Sequence, residues 1–130
     1  MIGYVTLGTN DMARAGKFYD ALLAEVGGKR QMETERFISW SAGQHSPGIG
    51  VIKPFDGKAA TVGNGMMVAI MCDSQEKVKA IYDKAIKLGA KDEGPPGTRW
   101  GNFYVGYSVD SMPKLRAIPL TGIKPIVSLV

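Results

Sequence analysis

Residues 4–29 read YVTLGTNDMARAGKFYDALLAEVGGK, and residues 67–91 read MVAIMCDSQEKVKAIYDKAIKLGAK. The two stretches align at an offset of about 63 residues. Val5 falls on Val68, Leu7 on Ile70, Asn10 on Asp73, and Tyr19-Asp20 on Tyr82-Asp83. In each copy an alternating apolar run predicts a strand with two unlike faces. Asn10 or Asp73 then offers a side-chain oxygen to cap a helix. The first helix carries Ala15, Phe18, Leu22 and Val26 on one stripe, and the second carries Val78, Ile81, Ala85 and Leu88. That spacing buries one helix face. Gly27 and Gly89 are placed to end the helices with left-handed caps.

Working outward, three strand-like segments follow each helix. In the first half they are residues 28–33, 36–41 and 48–54, and in the second 91–93, 102–109 and 114–120. Residues 42–48 and 94–97 read as turns, and residues 54–65 as the connection between halves. The order is therefore β-α-β-β-β twice, an α+β chain. Such a unit leaves one sheet face for its helix and one face open. Two units sharing open faces give a curved mixed sheet around a cleft, with the helices outside. Val5, Leu7, Val68, Ile70 and Cys72 are expected to meet the helices. Tyr4, Thr6, Met67, Ala69 and Met71 are expected to face the cleft.

The chain has 130 residues, 45% of them apolar and 22% charged, which suits one globular domain able to bury a core. The expected division is module one at about 1–56, module two at about 65–120, and a C-terminal tail at 121–130. No apolar run reaches membrane-spanning length, and residues 1–5 lack the pattern of a signal peptide. The lone Cys72 rules out an internal disulfide framework, so the expected compartment is the cytoplasm. The net charge of +4 is mild, and its lysines alternate with acids along the second helix. That is a solvated face and no nucleic-acid footprint.

The stretches Tyr4–Asp11, Phe18–Leu23, Lys53–Lys58, Val62–Gly65 and Asp92–Gly97 resemble the vicinal oxygen chelate superfamily, in a bacterial glyoxalase-like branch. That superfamily includes glyoxalase I, bleomycin-resistance proteins and extradiol dioxygenases. The resemblance covers residues 1–110 and fades after Asp110. It implies paired βαβββ modules, frequent homodimers, and in many members one divalent metal held by side chains of the first and last strands of each module. Carried over by position, those ligands are absent. The first-strand positions hold Tyr4 and Met67, residues 48–54 carry no acid, and Arg116 stands where an acid is usual. A thioether and a guanidinium do not serve a hard cation.

The expectation is therefore a protein with no metal, no cofactor and no catalytic residues, binding a small apolar or aromatic ligand. Its ligand-binding candidates begin with Tyr4, Trp40, Phe55, Trp100 and Tyr104 as aromatic walls, and Met67 and Met71 as adaptable apolar surface. Lys53, Arg99 and Arg116 are candidate anchors for an anionic group. His45, the only histidine, reads as a solvated loop residue, and Cys72 as a buried thiol. Two other readings stand beside this one. One is a metal-dependent lyase, isomerase or dioxygenase whose ligands lie elsewhere. The other is an assembly module whose cleft is filled by its own apolar, proline-containing tail, which otherwise reaches a second copy.

Overall fold

A computed structural model describes residues 1–61, 63, 65–99 and 101–110, and the backbone of two short strands, Leu115–Arg116 and Ile126–Leu129. The chain is α+β and divides into two units, Met1–Thr61 and Val62–Val130. No helix among the described residues is long and apolar enough to cross a membrane.

The first unit runs β1 (Tyr4–Gly8), α1 (Met12–Leu23), a 3-10 turn at Ala24–Val26, β2 (Lys29–Glu33), β3 (Phe37–Ser41) and β4 (Gly48–Ile52). The strands lie in the order β1-β4-β3-β2, with β1 parallel to β4 and the other pairs antiparallel. Helix α1 lays Ala15, Phe18, Tyr19, Leu22 and Leu23 against Leu7, Ile38, Trp40 and Val51 of the sheet. Burying each large apolar side chain contributes about 1.5–3 kcal/mol, so this layer carries the unit.

Asp20 joins helix to sheet. Its carboxylate accepts from Arg30 Nε at 2.8 Å, from Arg30 Nη2 at 2.7 Å and from Trp40 Nε1 at 2.8 Å. The Arg30 hydrogen bond, helped by the Trp40 indole and opposed by burial, holds the Asp20 carboxyl below its ordinary 3.8. A carboxyl with a lowered folded-state pKa adds stability above its unfolded pKa, and that stability is lost as pH falls through the folded value. The pair is partly exposed, which screens it. Asp20→Ala is expected to cost about 1–2 kcal/mol at neutral pH. Urea unfolding checks this: the gap between variant and wild type should close as pH drops below about 4.

The second unit runs β5 (Val68–Met71), α2 (Gln75–Lys87), β6 (Lys91–Arg99), β7 (Phe103–Asp110), β8 (Leu115–Arg116) and β9 (Ile126–Leu129). Its main path is β5-β9-β7-β6, with β8 on β7. Val78, Ile81 and Ala85 of α2 are buried, with Ile70, Cys72 and Ala90.

Both helices end on the same glycine motif. Gly27 and Gly89 have φ of 76° and 96°. The next N–H, of Gly28 or Ala90, reaches back to the carbonyl of Leu23 or Ala85 at 2.8 Å and 3.0 Å. The caps at the other end differ from expectation by one residue. Asp11 and Ser74, not Asn10 and Asp73, accept from the helix N–H groups of Arg14 and Lys77. Asn10 is drawn away because both ends of its amide bond the Ala60 backbone.

Two further expectations are corrected in the second unit. Residues 94–97 are not a loop: β6 continues through them, with register slips on either side of Gly94. Pro95 and Pro96 are tolerated because β6 is the edge of the sheet, where a missing N–H breaks no ladder. Of the strand expected at 114–120, Leu115–Arg116 pairs with β7, and the rest lies outside the described residues. Ile126–Leu129, expected to be tail, instead runs between β5 and β7, antiparallel to the first and parallel to the second.

Candidate functional site

Each sheet has one face against its helix, and the opposite face carries four of the ten candidate residues, Tyr4, Met67, Met71 and Arg99. In the first unit the open face is traced by register. Tyr4 pairs with Gly48, Thr6 with Gly50, and Ser39 with Gly50 from the other side. Glycines at 48 and 50 thus floor the centre of this face. The Phe37 ring lies over Gly50, so close that a Cβ there would meet it at 2.6 Å. The Tyr4 ring sits 6.1 Å from Phe37 at a tilt of 58°. Tyr4 is 63% exposed. The result is a shallow apolar floor rimmed by two aromatic rings, with Met32 exposed farther along the same face.

The open face of the second unit carries Met67 and Met71, 42% and 61% exposed, with Ala69 between them. Ala69 pairs with Ser128, which pairs with Tyr107. Directly paired residues share a face, so Phe103 and Tyr107 belong with the methionines. Arg99, paired with Phe103, folds over the Tyr107 ring at 5.4 Å and donates from Nη2 to the Pro95 carbonyl at 3.0 Å. Its Nε is buried with no partner among the described residues. Burial pushes the Tyr107 phenol above its ordinary 10.0, partly offset by Arg99, so at neutral pH it is an uncharged hydroxyl.

Four candidates stand elsewhere. Trp40 is 1% exposed and belongs to the core, packed against Tyr19 at 5.6 Å with its N–H on Asp20. It shares the parity of Ile38, which faces α1. Tyr104 likewise points to the helix side: a Cβ at Gly106, on the same side, would come 3.1 Å from Tyr82 of α2. Lys53 is exposed beyond the end of β4, in the parity of buried Val51 and so away from the open face. Phe55, 95% exposed, tips the turn at Pro54–Gly57. Trp100 and the Arg116 side chain lie outside the described residues. Phe37 and Tyr107 were missed as site residues; the alternation Phe37-Ile38-Ser39-Trp40 was the available signal for the first.

His45 is exposed in a turn, as expected. Cys72 is buried, and burial, followed by the nearby Asp73, pushes its thiol from 9.0 up to about 12. It is no nucleophile at neutral pH.

A scan against models of known protein families and a search of curated proteins both found no match. Solved structures do match. A glyoxalase/bleomycin resistance protein from Albidiferax ferrireducens is 30% identical, with a TM-score of 0.78 over 91% of this chain and 97% of that one. The chain belongs to the glyoxalase/bleomycin resistance/dioxygenase superfamily. A putative glyoxalase from Bacillus halodurans shares the fold at 18% identity, with a TM-score of 0.68 over 91% and 94% of the two chains. So does a fosfomycin resistance protein from Listeria monocytogenes, solved with Mn(II) and dihydroxypropylphosphonic acid. It is 12% identical, with a TM-score of 0.62 over 99% and 87%.

A divalent metal is what the superfamily resemblance implies for many members, so the donor set is the test. Hard dications take carboxylate, carbonyl or imidazole ligands. The first-strand positions here offer a phenol that packs on Phe37 and a thioether, and β4 contains only glycine, isoleucine and valine. Among the described residues no three His, Cys, Asp or Glu side chains converge. These residues do not fit the group.

Proposed function

We propose that this superfamily member is a small-molecule-binding protein without a resident metal, taking an apolar or aromatic ligand that carries an anionic group. The observation that carries the reading is the open face of the second unit, where exposed Met67 and Met71 share a side with Tyr107 and Arg99. Methionine reshapes around apolar ligands at little cost. An acceptor arriving beside Arg99 answers a guanidinium whose Nε has no partner among the described residues. Tyr4 and Phe37 offer a comparable aromatic surface in the first unit. The same reading places the protein in the cytoplasm, supported by its single buried cysteine, and pairs it with a second copy, the commonest closed symmetry.

Anilinonaphthalene sulfonate, aromatic and anionic, is the probe. Titration into the native chain should give saturable fluorescence with near-stoichiometric binding and a raised melting temperature. Elemental analysis of the same preparation should find Mn, Fe, Ni and Zn far below one per chain. One tightly held metal per chain would instead establish the metalloenzyme reading, which the Mn(II) in the Listeria protein favours. Absence of any saturable binding, with no metal, would leave the assembly reading standing.

A further inference from the structure

Residues 53–60 leave β4 and return past the start of α1, and two side chains fix their course. Asn10 donates from Nδ2 to the Ala60 carbonyl at 3.1 Å and accepts from the Ala60 N–H at 2.6 Å. Arg36 donates from Nη2 to the Pro54 carbonyl at 2.7 Å, and its own carbonyl accepts from the Lys53 N–H at 2.9 Å. Between these anchors is a cavity of about 250 Å³, whose walls include Thr9, Asn10, Arg36, Lys53, Gly57 and Lys58. Three cations therefore surround one concavity. The opposing charges are few. Asp56 Oδ2 is 3.9 Å from Lys58 Nζ, while its Oδ1 accepts the Lys58 N–H at 3.0 Å. The Asp11 carboxylate is engaged by the Arg14 N–H at 2.9 Å.

We propose that this cavity binds the phosphate group of a small phosphorylated molecule. A phosphate monoester brings about −1.5 to −2 charges and three strong acceptor oxygens, which suits three cations better than a carboxylate does. Arginine's planar fork fits phosphate oxygens, and lysine adds a mobile point charge. The volume is below that of drug-sized pockets and leaves room for only a few carbons beyond the phosphate. The strand register separates this cavity from the open face. Arg36 and Lys53 continue the parity of Ile38 and Val51, which are buried on the helix side, whereas Phe37 lies on the other side with Gly50. The inference is thus independent of the ligand proposed for the open faces, and either can fail alone.

The test is an amide NMR titration of the full chain with inorganic phosphate at constant ionic strength, with acetate and chloride as comparisons. Saturable shifts are expected at Asn10, Lys53, Gly57 and Lys58, with acetate about ten-fold weaker and chloride giving no saturation. Lys53→Gln and Lys58→Gln, both at exposed positions, should each weaken phosphate about three- to ten-fold with unchanged melting temperature. Non-saturating shifts, shifts centred on the α2 lysines, acetate binding as well as phosphate, or both variants binding like wild type would each overturn the proposal.

Discussion

Trp40→Ala is expected to lose about 3–5 kcal/mol of folding stability, the range for removing a buried large aromatic. The indole is 1% exposed, packs on Tyr19 at 5.6 Å, lies 5.8 Å from the Arg30 guanidinium and donates to Asp20 at 2.8 Å. Truncation opens a cavity between α1 and the sheet and leaves Asp20 with one donor fewer. Urea unfolding measures the loss. Trp40→Phe should recover much of the packing but not the hydrogen bond, and should fall between wild type and alanine. A loss below about 1 kcal/mol for alanine would contradict the core assignment. Trp40 would then return to the ligand wall where the sequence had placed it.

Met71→Glu should act on binding and leave the fold alone. The side chain is 61% exposed on the open face of the second unit, so a carboxylate there remains solvated in the free protein. A ligand covering that face has to desolvate the new charge. The cost is about 2–4 kcal/mol, roughly a 30- to 900-fold rise in the Kd of anilinonaphthalene sulfonate. Circular dichroism and melting temperature should match wild type, which separates this result from misfolding. Met71→Leu should stay within about three-fold of wild type, because volume and apolarity are kept. Equal affinity in the glutamate variant would place the ligand away from β5.

What the two changes have in common is parity. Within one strand the alternation of side chains is a local property, so Val5 and Leu7 against Tyr4 and Thr6 was legible from the residues, as was Ile38 with Trp40. Between strands, parity is set by register, and register depends on which backbone groups meet. Tyr104 and Tyr107 illustrate the difference. Both are aromatic residues of β7, and no local rule says which shares a face with Met71. The bridge from Ala69 through Ser128 to Tyr107 decides it, and β9 lies far along the chain.

The sequence by itself determined the repeated strand–helix unit, the buried helix stripes as far as Leu22 and Ala85, with Val26 and Leu88 only half-buried beyond the helix ends, the glycine caps and the chemical poverty of the metal-ligand positions. Each follows from interactions within a few residues or from side-chain identity alone. The tertiary structure alone decided that Asn10 staples residue 60 instead of capping α1, that Ile126–Leu129 fills the second sheet, and that Arg36, Lys53 and Lys58 surround one cavity. Each of these joins residues far apart in the chain. Closing such loops costs entropy that only long-range packing repays, and no local pattern encodes it.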